Sequence, residues 1–316
     1  MMRLFVKIGL KFPQRIKMKY SLRRFLKNIA YMAKYNLKEL NNRTEILTTL
    51  PSFIDRIKYE IKDDLEDIVL PKIMDNFETL KYLIESDKSF IRFGDGEYSI
   101  MEGKGIAFQK YDEKLAKNLE EIIMTNHEKL LIGIAREYFY STRCCHDFVR
   151  EFCLGWSAMN YKKIKKYIQQ DKIYGSTGVS QAYAAYKIDK YDFEKHYVLV
   201  KKLLSQKEIV VFCGDKIFNN IKYNILEGIS KIEYVYGPTK HAYDNFENLK
   251  RKMFEISKNK ILIFALGPAG KSLAYEAFKE GYRVLDFGHV FKDYDSYKKS
   301  ILMNKEEIAN FFAPDE

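Results

Sequence analysis

The feature that most constrains this chain is the rhythm of its final third. A helix-like stretch at 198–206 precedes the apolar run 209–213, which Gly214-Asp215 ends. An amphipathic stretch at 217–228 leads to a second run, 232–236, and the turn Gly237-Pro238. Another, at 243–257, leads to 261–265 and to Leu266-Gly267-Pro268-Ala269-Gly270; the helix opened there reaches Glu280, before a last run at 282–287. Short apolar runs alternating with amphipathic helices through glycine turns are βαβ units. They give an α/β fold with a mostly parallel sheet flanked by helices. Ligands of such sheets gather at the carboxyl ends of the strands, so the residues following each run carry the functional information.

The preceding part is less regular. Residues 72–86 read as a helix, 90–93 as a strand, 112–127 as a helix and 129–134 as a strand. Between 136 and 195 the pattern is irregular and aromatic, with helices expected at 145–153 and 159–169 and a glycine-serine loop at 174–180. Tyr138-Phe139-Tyr140 and Trp156 suit either core packing or a stacking platform.

Charge separates the two ends of the chain. Eleven of the 54 Lys and Arg residues, and none of the 43 Asp and Glu, fall in 1–38, so the remainder is formally neutral. The net charge of +11 is therefore no sign of a nucleic-acid-binding body. Within the arm, Met18, Leu22, Phe25, Ile29 and Met32 recur at helical spacing among basic residues. Such a helix suits an anionic membrane surface, packing on the body, or self-association. Residues 1–45 are thus expected to form a basic helical arm and 46–316 the functional domain. The stretch near Leu4 is short, interrupted by Lys7 and without a cleavage site, unlike a signal peptide. No run has the ~20 apolar residues of a membrane-spanning helix. Cys144, Cys145, Cys153 and Cys213 form no CxxC pair, which argues for reduced thiols and a cytoplasmic setting rather than a zinc site.

The strand ends, in order, present Asp95 and Glu97, then Cys213-Gly214-Asp215, Gly237-Pro238-Thr239-Lys240, Gly267-Pro268-Ala269-Gly270 and Gly288-His289. Two close carboxylates, glycine turns opening helices, a lysine and a histidine are what a metal-chelated diphosphate needs. Asp95-Gly96-Glu97 reads equally as a turn with a helix cap or as a pair aimed at one cation. Gly267 to Ser272 looks like a P-loop, but Ala265 stands where that motif needs its first glycine. His289, with Asp293 and Asp295 downstream, suits deprotonation of a hydroxyl or a structural role at the sheet edge.

Several stretches together resemble the GT-D-fold glycosyltransferases. They are Arg92-Phe93-Gly94-Asp95-Gly96-Glu97, Phe108-Gln109-Lys110-Tyr111-Asp112, Pro238-Thr239-Lys240-His241-Ala242-Tyr243, Ala265-Leu266-Gly267-Pro268 and Asp286-Phe287-Gly288-His289. The resemblance covers about 75–300. It implies a Rossmann-like catalytic domain transferring a hexose from a UDP-sugar, with Mn²⁺ or Mg²⁺ held at Asp95 and Glu97. Arg92, Gln109, Thr239, Lys240, Gly267 and Pro268 then fall on the donor side, and His289 with Asp293 supplies acceptor activation. The chain departs from the family where Phe291 replaces an acidic residue and Asp293 a Glu, and at Gln181-Ala182-Tyr183 and His241. The implied acceptor is a saccharide, a lipid-linked glycan or a glycoprotein, for which Tyr138-Phe139-Tyr140 and Trp156 suit a platform, and the basic arm suits work at the inner membrane face. The competing readings are another nucleotide-dependent transferase, for methyl or phosphoryl groups, and a non-catalytic membrane- or nucleic-acid-binding protein.

Overall fold

The computed structural model describes residues 70–206, 208–229 and 231–314. The basic arm expected over 1–45 lies outside them. Eight strands among the described residues form one sheet: β1 (Lys72–Ile73), β2 (Ser89–Phe93), β3 (Leu130–Ile134), β4 (Ile173–Ser176), β5 (Ile209–Gly214), β6 (Ile232–Gly237), β7 (Ile261–Ala265) and β8 (Arg283–Asp286). Their order is β1-β4-β3-β2-β8-β7-β5-β6, and every pairing is parallel.

Helices cover both faces. They are α1 (Asn76–Glu85), α2 (Asp95–Met101), α3 (Glu113–Met124), α4 (Asp147–Ile164), α5 (Ala182–Ala185), α6 (Phe193–Leu204), α7 (Phe246–Phe254), α8 (Gly267–Lys279), α9 (Val290–Lys298) and α10 (Lys305–Phe311). Alternate strand residues feed two cores. Ile91, Phe93, Ile132, Val210, Phe212 and Phe264 pack with Leu119 of α3, Met253 of α7 and Leu273 of α8. Phe90, Leu131, Val211, Ile263 and Leu285 pack with Leu83 of α1, Val200 of α6 and Phe291 of α9. Burial on both faces is why the strands read as unbroken apolar runs.

Three local expectations differ. The glycine-rich stretch 174–180 is not wholly loop, because β4 occupies its first part. Gly133 and Gly175 are register partners, and a Cβ on either would meet the Phe90 ring at 2.6 and 2.8 Å. The glycines make room for an aromatic ring rather than a bend. The helices expected at 145–153 and 159–169 are one helix, α4, in which small Gly155 and Ser157 face the core and hide the apolar period. No helix forms over 217–228. That segment is a series of turns, and the backbone N–H groups of Lys222 and Tyr223 donate to the Asp295 carboxylate at 3.0 and 2.9 Å.

The connections from β2 run outward through β3, while β8 returns to lie beside β2. The direction of winding changes at the β2–β8 seam, where a crevice opens beyond the strand ends.

Candidate functional site

A cavity of about 500 Å³ lies at that crevice. Its wall takes Asp95 and Glu97 after β2, Glu137 and Tyr138 after β3, Thr177 and Gly178 after β4, and Gly214 from β5. Thr239 follows β6, Gly267, Pro268 and Lys271 follow β7, and Gly288 and His289 follow β8. Residues nearly two hundred positions apart therefore share one chamber because all follow parallel strands.

The floor of the cavity holds a buried chain of charges across the seam. Arg92 on β2 donates from Nε to the Asp286 carbonyl at 2.7 Å, from Nη2 to Asp286 Oδ1 at 3.2 Å, and from Nη1 to the Ser180 hydroxyl. Lys271 Nζ lies 3.3 Å from Asp286 Oδ2 and 3.1 Å from Glu97 Oε1. Two cations and two anions thus balance out of water. Burial pushes the Asp286 carboxyl up, but Arg92 and Lys271 outweigh it and hold the group below its ordinary range.

The two carboxylates after β2 stand in different surroundings. Asp95 opens α2 and is exposed to the cavity, with the Tyr138 hydroxyl 3.4 Å from Oδ1. Crowding by protein atoms, then the charge of Glu97, pushes its carboxyl up. Glu97 is buried and closes the first turn of α2, accepting from the Gly94 N–H at 2.8 Å through Oε2 while Oε1 meets Lys271. A divalent ion bound mainly by phosphate and water needs only one or two carboxylates. Asp95 fits that requirement, whereas both Glu97 oxygens are engaged. Among the described residues no group of three or more His, Cys, Asp or Glu is arranged to hold a metal by itself.

On the opposite wall, Pro268 sits in the first turn of α8, whose N-terminus borders the cavity; Gly267 takes φ +56°, a value that favours glycine. The Thr239 hydroxyl donates to Asp215 Oδ1 at 2.8 Å, and a Cβ on Gly214 would come within 3.2 Å of the Thr239 backbone. The Phe108 loop is tied to this region. The Phe108 carbonyl accepts from His241 N at 2.8 Å, Lys110 N donates to His241 Nδ1 at 3.0 Å, and Tyr243 N donates to Gln109 Oε1 at 3.2 Å. Buried Gln109 fastens two loops and does not line the cavity, and exposed Lys240 does not line it either. Arg92, Thr239, Gly267 and Pro268 do.

The expected acceptor-activating pair is divided, with His289 on the cavity and Asp293 away from it. Asp293 is fully buried and absent from the cavity wall. It accepts from the backbone of Tyr183 and Ala184 at 3.1 and 3.0 Å and from the Tyr197 hydroxyl at 2.7 Å, tying α9 to the start of α5. Burial pushes its carboxyl up to about 6. His289 does line the cavity, packed among Phe108, Phe311 and Phe312. Burial, then the charges of Arg92, Lys292 and Lys271, lower its pKa to about 3. The aromatic platform is divided: Phe139 is core, while Tyr138 lines the cavity with Trp156 stacked on it at 4.3 Å.

Comparison with known proteins bears on the fold and the family. The family model described as the glycosyltransferase GT-D fold matches residues 90–311. The chain belongs to the GT-D-fold glycosyltransferase family. A solved structure of domain of unknown function 1792, described as having a distinct glycosyltransferase fold, superposes with TM-score 0.68 at 28% identity, covering 79% of this chain and 86% of that one. A second, described as a new glycosyltransferase from Streptococcus sanguinis, gives 0.69 at 26% identity, covering 74% and 87%. Among curated sequences, a probable glycosyl transferase Gly of Streptococcus gordonii is 30% identical over 70% of this chain and 32% of its own length. Glycosyltransferase GlyD of Streptococcus pneumoniae is 28% identical over 77% of this chain and 30% of its own. The chain thus spans about a third of the length of the curated relatives it matches.

Glu137 and Lys271 also line this cavity, although sequence patterning does not single them out as site residues. Glu137 follows β3 within the irregular aromatic region and carries no motif. Lys271 stands in the P-loop-like stretch, where a failed motif leaves a buried lysine without an assigned role.

Proposed function

We propose that this chain transfers a hexose from a UDP-sugar to a glycan or glycoconjugate acceptor in the synthesis of a bacterial surface polysaccharide or glycoprotein. The observation that carries this reading is the exposed Asp95 carboxylate on a cavity at the strand-order switch, bordered by the N-terminus of α8. Backbone N–H groups at such a helix start attract phosphate, and the glycines at 214 and 267 let a nucleotide approach the main chain closely. Asp95 would hold Mn²⁺ or Mg²⁺, and a bound ion would offset charge on the diphosphate leaving group. Thr239, Gly267 and Pro268 lie on the donor side of the chamber, with Arg92 in its floor.

Glu137 supplies the base. It lies on the cavity wall beside Tyr138, and its carboxylate accepts from the Tyr186 hydroxyl, which orients it. Phe148 and Phe152 of α4 and Phe312 beyond α10 give the outer wall an apolar surface on which a sugar ring can rest. The basic residues of 1–38 suit contact with anionic lipid at the inner membrane face, and the chemistry calls for no nucleic acid. Among the described residues no helix is long and apolar enough to cross a membrane.

The test is hydrolysis or transfer across a panel of UDP-hexoses, with Mn²⁺ or EDTA, for wild type and Asp95→Ala. Turnover should require metal and fall by about a hundredfold or more in the variant. Turnover indifferent to both would overturn the reading.

A further inference from the structure

The paired roles expected of Asp95 and Glu97 do not match their surroundings, and the difference has a single structural source. Lys271 occupies the first turns of α8, where its side chain is 6% exposed, and its ammonium reaches Glu97 Oε1 at 3.1 Å. The other Glu97 oxygen closes the α2 turn through Gly94. Asp95, two residues earlier, pairs with no cation among the described residues and faces the cavity. A divalent ion approaching Glu97 would have to displace a buried ammonium that also bonds Asp286 at 3.3 Å. Two cations forced onto one carboxylate in a poorly solvated floor repel strongly.

We propose that Lys271 is a positioning residue that sets the composition of the metal site: its ammonium keeps Glu97 out of direct coordination and leaves Asp95 as the carboxylate that binds. This rests on the metal-dependent reading above and deepens it. The consequence is an order of binding. One carboxylate beside a buried cation holds a free divalent ion weakly, so the ion is retained only with the diphosphate that completes its shell. Glu97 acts at one remove, fixing the α2 turn that aims Asp95 and balancing the charge of Lys271.

The experiment titrates Mn²⁺ without nucleotide, reading free Mn²⁺ by electron paramagnetic resonance, on the full chain. Wild type, Asp95→Asn, Lys271→Met and Lys271→Met/Glu97→Gln are compared, with folding checked by circular dichroism and thermal melting. Lys271→Met should tighten Mn²⁺ binding roughly tenfold, since it frees Glu97 and removes a nearby positive charge. The double variant, charge-balanced as wild type is, should return to within about threefold of wild type, and Asp95→Asn should lose binding. Unchanged or weaker binding in Lys271→Met, or a double variant as impaired as Asp95→Asn, would overturn the proposal. If Lys271→Met does not fold, the double variant still decides, because a directly coordinating Glu97 cannot be removed without loss. Titrating UDP with Mn²⁺ into wild type separates the two claims. Wild type that binds neither ion nor UDP defeats the functional reading, whereas wild type that binds both while the double variant fails defeats only the role of Lys271.

Discussion

Gly288 shows how much of the site depends on a single missing methyl group. Its φ is +24°, and a Cβ there would lie 2.2 Å from the Arg92 guanidinium. That guanidinium is held by Asp286 and Ser180 and cannot swing aside cheaply. Gly288→Ala is therefore expected to lower stability by about 2 kcal/mol, a fall of roughly 4–8 °C in melting temperature by calorimetry. Glu137→Gln makes the complementary prediction for chemistry. It should leave UDP affinity near wild type while lowering kcat by about a hundredfold or more, as loss of a general base does. A kcat within a few fold of wild type would remove Glu137 from that role. The sequence displays Asp95 and Gly288 as motif residues but not Glu137, whose meaning comes only from β3 lying next to β2.

The elements that frame the site are held by buried polar groups with structural duties. Asp293 joins α9 to α5, so Asp293→Asn should destabilise the protein by about 1–3 kcal/mol through lost acceptors while kcat stays within about tenfold. Loss of turnover at unchanged stability would restore it as a catalytic candidate. His196 of α6 is fully buried, with Nδ1 2.9 Å from the Tyr191 hydroxyl and Nε2 3.1 Å from the Val179 carbonyl. Burial lowers its pKa to about 4, against about 6.5 in an unfolded chain. The unfolded chain therefore binds the proton more readily. The contribution of this group to stability is complete above about pH 6.5 and is lost as pH falls toward 4, amounting to about 3 kcal/mol. Urea melts of wild type and His196→Gln at pH 7 and pH 4.5 should show a smaller acid loss in the variant, and equal losses would contradict the assignment. These duties escape the sequence because an Asp four residues after a His at a strand end looks the same whether it faces a cavity or a neighbouring helix. Six of the eight described strands were legible, being marked by apolar runs, whereas β1 fell within the expected helix 72–86 and β4 overlapped the expected glycine-serine loop. Element identity failed where glycines served Phe90, where Gly155 interrupted a helical period, and where 217–228 bonded Asp295 instead of coiling.

At the scale of the whole molecule, function follows from strand order. The β2–β8 seam brings Asp95 and His289 to one chamber, and no local pattern encodes that adjacency, since β8 enters last and inserts beside the second strand. What the sequence did disclose was the parallel class and the rule that strand ends matter, and the family motifs pointed to the GT-D fold. A ligand filling this seam links the two halves of the sheet, so UDP with Mn²⁺ at a hundred times its dissociation constant should stabilise the fold by about 2.7 kcal/mol. The most direct measurement of the central claim is calorimetric titration of UDP into wild type and Asp95→Ala, each with Mn²⁺ and with EDTA. The account predicts binding for wild type with Mn²⁺, and its loss in EDTA and in Asp95→Ala. Equal binding under all four conditions would contradict it.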